Sequence, residues 1–330
     1  MKALVTGGAG FIGSHLVERM VELGYDVVVL DNFRRGNKLD KSVLKKITLI
    51  EGDVRDYDTV FEATRNVDYV FHLAAVLGVD IVADNPVETM ETEVVGLHNV
   101  ARAAIYFGVE KLIYASTSGV YGKSAIEKAV SEDFDVSPKT SYAIAKRYNE
   151  IYLASLFEEK NLQSVSLRFF NVYGPKQDNR MVIPRFFEQA LTGRPITIYG
   201  TGKQTRDFTW IGDVVTATLE LAKKARGCGI YNISNESEIT IEELAHKIIE
   251  ITGSDSEITY IVPSKNRYDF EVERRFGSSK KLYEVTGFKP DTPLDYGLQK
   301  VYEYILNTTI AGAKHQKKVA EAAKAEETKN

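Results

Sequence analysis

The chain has 330 residues, 44% of them apolar and 27% charged, which is enough apolar side chain for a sizeable buried core and unlike a disordered chain. Lys and Arg number 42 against 46 Asp and Glu, a formal net charge of -4, so no basic surplus exists to neutralise a nucleic-acid backbone. The longest apolar runs, such as 25–30 and 112–115, are strand-sized and fall far below the roughly 20 residues of a membrane span, so neither nucleic acid nor membrane is expected as a partner.

The N-terminus passes from Met1-Lys2-Ala3-Leu4-Val5-Thr6 straight into glycines, without the charged and apolar stretches of a leader, and predicts a cytoplasmic location. From there to about residue 167, short β-branched runs at 3–6, 26–31, 47–51, 67–72, 111–116 and 163–168 read as strands. They are apolar nearly throughout, as in parallel sheets covered on both faces. Between them, 10–23, 57–64, 86–107 and 141–160 carry apolar residues at helical spacing, with stops at Gly24 and Gly108. The pattern predicts an α/β fold, a doubly wound parallel sheet of the Rossmann type.

After Gly174-Pro175 the elements shorten: a helix near 183–191, a strand at 196–199, and helices at 213–224 and 241–251. This predicts a dinucleotide-binding domain over 1–174 and a smaller α/β substrate-binding lobe over 175–306, with the helix near Asp213 returning to the sheet. Residues 307–330 are Ala, Lys, Glu and Gln with almost no large apolar side chain, and predict a disordered or frayed tail. The single Cys228 stands between Gly227 and Gly229 and reads as a small turn-side residue. His15, His72, His98, His246 and His315 are scattered without ligand spacing, so no metal site is expected, and His72 reads as structural.

Gly7, Gly10 and Gly13 follow the first strand where a helix begins. Gly7 suits a tight turn, Gly10 a close approach of backbone amides to a pyrophosphate, and Gly13 close packing of helix on strand, while the helix N-terminus supplies a positive dipole end. The next strand ends in Asp31, placed to hold ribose hydroxyls and to repel a 2′-phosphate, so NAD is favoured over NADP. Arg34 and Arg35 follow, either as phosphate partners or as solvated loop residues. Gly52-Asp53-Val54 is placed to hold the adenine edge, though a plain turn would look the same.

The fifth strand runs into Ser116-Thr117-Ser118, and Ser141-Tyr142-Ala143-Ile144-Ala145-Lys146 puts Tyr142 and Lys146 on one helix face. A phenol is too weak an acid to act as a base at neutral pH, but a neighbouring ammonium and an oxidised nicotinamide both favour the phenolate. Tyr142 could then take a hydroxyl proton, with Thr117 sharing the same reacting oxygen.

The segments TGGAGFIGS at 6–14, DNF at 31–33, GDV at 52–54, HLAA at 72–75, ASTSGVYG at 115–122, SYAIAK at 141–146, RFFNVYGP at 168–175 and TRDF at 205–208 carry a family resemblance. The chain resembles the extended short-chain dehydrogenase/reductases of the nucleotide-sugar epimerase/dehydratase group, similar to UDP-glucose 4-epimerases and UDP-glucuronate decarboxylases. The resemblance spans roughly residues 2–306. It implies that Thr117, Tyr142 and Lys146 form the catalytic trio, with Lys146 also holding the nicotinamide ribose. For NAD it implies Gly7, Gly10, Phe11, Ile12, Gly13, Asp31, Asn32, Asp53, Val54, Leu73, Ala74 and Ala75 as contacts. For a UDP-sugar it implies Thr117, Ser118, Asn171, Tyr199 stacking on the base and Arg206 on the phosphates; Arg267 and Arg274 both lie where a further phosphate-binding arginine is often found, and Arg274 is carried as a candidate. The helices at 86–107 and 141–160 resemble those of a four-helix homodimer interface.

Within the group, the resembling dehydratases carry Asp-Glu at 118–119 and the decarboxylases Glu at 119, where this chain has Ser118 and Gly119. Glycine offers no acid or base, which demotes elimination and decarboxylation and leaves chemistry at C4. The expected activity is a nucleotide-sugar 4-epimerase. A 4-ketoreductase or a UDP-glucuronate decarboxylase-like enzyme is the alternative, and a non-catalytic sensor of NAD or sugar nucleotide would have shown a broken trio. Residues 76–79 depart from galactose epimerases, which commonly have a polar residue at 77, so a galactose-type substrate is not implied.

Overall fold

In the computed structural model, residues 1–76, 78–122, 129–262, 273–310 and 313 are described. The strands of the main sheet, numbered here in chain order, are β1 (Lys2–Thr6), β2 (Asp26–Asp31), β3 (Thr48–Glu51), β4 (Tyr69–His72), β5 (Lys111–Thr117), β6 (Ser164–Phe169) and β7 (Cys228–Ile233). All pairings are parallel, in the order β7-β6-β5-β4-β1-β2-β3.

Alternation along each strand splits the apolar side chains between two cores. Ala3, Val5, Val27 and Val29 pack under the helices Phe11–Glu22, Ile211–Lys224 and Lys280–Thr286. Leu4, Val28 and Leu30 pack on the opposite face under Tyr57–Thr64, Gly96–Phe107 and Ser141–Lys160. A parallel sheet covered on both faces results, the fold class that the sequence predicts. Strand order reverses between β1 and β4, and the crevice outside the carboxyl ends of the strands is where such sheets bind ligands.

A separate apolar core joins the helices Val182–Leu191, Ile241–Thr252 and Leu294–Thr308 to the parallel strands Ile196–Tyr199 and Ile258–Ile261. Thr240 caps the middle helix in a capping box with Glu243. The helix Leu294–Thr308 extends slightly beyond the start of the expected tail, because Val301 and Ile305 are buried in this core. Residues 311, 312 and 314–330, and with them His315, lie outside the described residues.

Three features differ from the sequence expectation. Cys228 opens β7 rather than sitting in a turn, and accepts a hydrogen bond from Ser164 Oγ at 3.3 Å. β7 itself escapes a reading by apolar runs because it begins Cys-Gly and holds Asn232. That side chain is buried and satisfied, accepting from the Tyr121 hydroxyl at 2.8 Å and donating to the Val130 carbonyl at 2.9 Å. The helix expected at 86–107 is interrupted: Pro86–Met90 is α-helical, Glu91–Val95 is π-helical, and Gly96–Phe107 is α-helical again, ending at Gly108 in the left-handed conformation.

Candidate active site

The glycine turn closes over the end of β1. Gly7 adopts φ +69° and a Cβ there would lie 2.7 Å from the Ala74 amide nitrogen; a Cβ at Gly13 would lie 2.2 Å from the Gly7 carbonyl oxygen. Only glycine fits both positions, and the close approach brings the Leu73–Ala75 stretch beyond β4 beside the turn. The helix Phe11–Glu22 starts here with Gly10 as its N-cap, so the amides of Phe11, Ile12 and Gly13 belong to its first turn and have no acceptor within the helix. Such a turn can hold a pyrophosphate.

Asp31 ends β2 beside that turn. Its carboxylate accepts from the amides of Ala9 at 2.9 Å and Phe33 at 2.8 Å, which fixes its orientation, while burial pushes its carboxyl above the usual range. Asp53 lies next along the sheet edge, held by Arg55 at 2.9 and 2.8 Å and reached by Asn32 Nδ2 at 3.3 Å; Arg55 draws the Asp53 carboxyl down to about 2. Val54 is buried against Gly96. Both arginines of the loop are ion-paired, the exposed Arg34 with Glu88 at 2.5 Å and the half-buried Arg35 with Asp178 at 3.2 Å. These residues fit a dinucleotide with a 2′-hydroxyl: amides at the pyrophosphate end, carboxylates at the adenosine end, and both arginines of the loop committed to other partners.

The trio converges on the carboxyl end of β5. Thr140 caps the helix Ser141–Lys160 through the Ala143 amide at 3.1 Å, so Tyr142 occupies its first turn and Lys146 its second. Thr117 stands beside Tyr142 and draws its phenol down, and Thr117 Oγ1 accepts from the Gly119 amide at 3.1 Å, leaving its own proton to donate. Lys146 Nζ donates to the Ala115 carbonyl at 2.7 Å and lies 5.3 Å from the centre of the Tyr142 ring. Burial, reinforced by the Glu93 carboxylate, pushes the Tyr142 phenol upward, and Thr117 opposes it. Ser118, buried, opens the 3-10 turn Ser118–Tyr121.

Sequence reasoning missed Glu93. Its Oε2 is 2.8 Å from Lys146 Nζ, with the Lys146 and Glu93 side chains 1% and 0% exposed. Its Oε1 accepts from the Val76 amide at 3.2 Å, and its carbonyl from Asn149 Nδ2 at 2.9 Å. Nothing in the run Glu91-Thr92-Glu93 sets one acidic residue apart from the other; only the packing does. His72 closes the back of the site as a neutral ring: Nδ1 pairs with Thr6 Oγ1 at 2.7 Å, and burial pushes its pKa down to about 3.

Across the cleft, Asn171 Nδ2 donates to the Asp207 carbonyl at 3.0 Å, and Asn171 lines a hollow with Val172, Gln177, Met181, Val182, Ile183 and Phe208. Tyr199 lies under the Arg185 guanidinium, 5.0 Å from the ring centre. Arg206 Nη1 donates to the Thr205 carbonyl at 2.7 Å, and Arg274 is ion-paired with Glu238 at 2.6 Å. Arg267 and position 77 lie outside the described residues. No helix among the described residues is long and apolar enough to cross a membrane.

The profile of the NAD dependent epimerase/dehydratase family matches residues 3–234. The UDP-N-acetyl-alpha-D-glucosaminuronate decarboxylase of Bacillus cytotoxicus is 37% identical, covering 92% of this chain and 97% of its own. The UDP-glucose 4-epimerase of Thermotoga maritima, solved with UDP-glucose, superposes with a TM-score of 0.88 at 34% identity, covering 93% of this chain and 99% of that one. That of Thermus thermophilus, solved with NAD, superposes with a TM-score of 0.86 at 33% identity, covering 94% and 100%.

Proposed function

Because the chain belongs to the NAD-dependent epimerase/dehydratase family, with NAD as its cofactor, we propose that it is a nucleotide-sugar 4-epimerase of the UDP-hexose type. The observation that carries this reading is the combination of a complete Thr117–Tyr142–Lys146 trio with glycine at 119. A Cβ at 119 would lie 3.3 Å from Thr117 Oγ1, so a carboxylate there would stand beside the reacting hydroxyl, and this chain supplies none.

Bound NAD would supply the hydride acceptor and donor for C4 of the sugar. The chain's own residues handle the proton and the geometry. Thr117 donates to the sugar's C4 oxygen or to Tyr142, and Tyr142 takes the hydroxyl proton and later gives it back. Lys146 would hold the nicotinamide ribose while its ammonium stays paired with Glu93 beneath the phenol. Asn171 and the hollow it lines, Tyr199 and Arg206 hold the nucleotide diphosphate, with Arg274 held in reserve by Glu238. Inversion follows when the 4-keto sugar presents its other face before hydride returns.

A second reading has a specific observation behind it, the 37% identity to a uronate decarboxylase. With bound NAD as hydride acceptor, the same trio would take the C4 hydroxyl proton of a sugar uronate, the resulting β-keto acid would lose carbon dioxide from C5 with a proton delivered there, and return of the hydride to C4 would give the pentose. The exposed faces of Ile144, Tyr148 and Ile151 on one helix, next to Val95, support a homodimer built on the two long helices.

Proton NMR of the protein with NAD tests both readings against UDP-glucose, UDP-galactose, their N-acetylamino counterparts, UDP-glucuronate and UDP-galacturonate. Interconversion of one pair to the same ratio from both sides is the expected result. A uronate converted to a pentose with loss of carbon dioxide establishes the decarboxylase instead.

A further inference from the structure

Glu93 reaches the active centre because the backbone is π-helical from Glu91 to Val95. A π-helical turn inserts an extra residue into a helix, shifts the faces that follow and is frequently found at functional sites. Here it buries Glu93 completely between an exposed Glu91 and an exposed Val95. The carboxylate is fastened on both sides, to Lys146 by one oxygen and to the Val76 amide by the other. Burying a carboxylate is costly unless it is paired, and this one is paired with a residue of the trio rather than with a lysine of the scaffold.

We propose that Glu93 is a positioning residue of the active centre, whose carboxylate cancels the charge of Lys146 beneath Tyr142 and holds Tyr142 as a neutral phenol until a further positive charge enters the site. The proposal rests on the reading of Tyr142 as the proton carrier at C4. The groups facing Tyr142 are few. Glu93 comes from the π-helical turn, Lys146 from the helix of Tyr142 itself, and Thr117 and Tyr114 from β5, with His72 behind on β4. His72 is neutral, the Tyr114 phenol is pushed well up by burial, and Lys146 with the Val76 amide draws the Glu93 carboxyl down against the rise that its burial imposes, so the fixed charge around Tyr142 is the sum over the Glu93–Lys146 pair, which is zero. The oxidised nicotinamide ring is such a further charge. Tyr142 therefore becomes a base only with that ring beside it and an acid once the charge has gone, as reversible proton traffic at C4 requires.

Glu93→Gln removes the negative charge while keeping the size and an oxygen for the Lys146 ammonium, which retains the Ala115 carbonyl at 2.7 Å. Tyr142 ionisation is read as the ultraviolet tyrosinate difference between each protein and its Tyr142→Phe counterpart, with NAD bound and with cofactor removed. Glu93→Gln is expected to lower it by about one pH unit, and Lys146→Gln to raise it by a similar amount. The double variant Glu93→Gln with Lys146→Gln has a neutral pair and is expected to return to the starting value. Where turnover is measurable, the acidic limb of kcat/KM for Glu93→Gln moves down with the titration. A Glu93→Gln titration that stays put or moves up overturns the proposal, and so does a double variant that departs from the parent. The double variant leaves no unpaired buried charge, so it provides the test even if a single variant fails to fold. The titration needs no sugar nucleotide, so a chain that epimerises nothing overturns the function proposed above without deciding this measurement.

Discussion

Tyr142 and Lys146 face the same way from successive turns of one helix, with the ammonium 5.3 Å from the centre of the phenol ring. Tyr142→Phe removes the phenolic oxygen that carries the hydroxyl proton. Turnover is expected to fall by about 10²–10⁴-fold. NAD affinity and the thermal midpoint are expected to stay near those of the parent, because the phenyl ring keeps its packing. Single-turnover rates and equilibrium dialysis of NAD check the two halves separately.

Gly13 is the point where the first helix touches the turn, and a Cβ there would lie 2.2 Å from the Gly7 carbonyl oxygen. Gly13→Ala must push the helix away from β1. A loss of about 1–3 kcal/mol in stability is expected, accompanied by weaker NAD binding. Urea unfolding with and without NAD measures both, and unchanged NAD affinity would contradict the placement of the pyrophosphate at this helix end.

Asp207 is fully buried and accepts from the amides of Asn235 and Glu236, both at 3.1 Å, and from Ser234 Oγ. Burial nevertheless raises its carboxyl to about 6 from 3.8. A folded value above the unfolded one means that the folded state holds the proton more tightly. The contribution is then full below about pH 4 and is lost as pH rises through 6, by about 3 kcal/mol at most. Asp207→Asn removes this slope but sets a side-chain amide among backbone donors. The variant is expected to be less stable at neutral pH, with a flatter dependence between pH 4 and 7, in denaturant titrations across that range.

The cofactor end of the site was legible because its chemistry is written in spacing. Gly7, Gly10, Gly13 and Asp31 must fall between particular strands and helices, and Tyr142 and Lys146 must be one turn apart. Glu93 was not legible: an acidic residue in an amphipathic helix reads as solvent-facing, and only the π-helical turn, which no local pattern announces, turns it inward. Arg168 escaped for a related reason. It is almost fully buried at the end of an apolar strand and is matched by Glu150 at 2.8 Å, a partner from the middle of a helix that sequence places 18 residues away. In both cases the charge is explained by a partner that tertiary packing supplies.

Ile151 is 56% exposed, and Tyr148 on the same helix 44%, with Tyr148 stacked on Tyr152 at 6.2 Å. The homodimer proposed above would bury this face. Light scattering is expected to give twice the chain mass for the parent and the single-chain mass for Ile151→Asp. A monomeric parent would remove the dimer from the account.

The most direct test of the account follows a deuterium label at C4 of the sugar nucleotide that turns over, in ordinary water with catalytic NAD. Epimerisation by hydride removal and return within one active site is expected to give the inverted sugar with the label still at C4. Inversion with loss of the label to water, or a product altered at C5 with C4 unchanged, would contradict it.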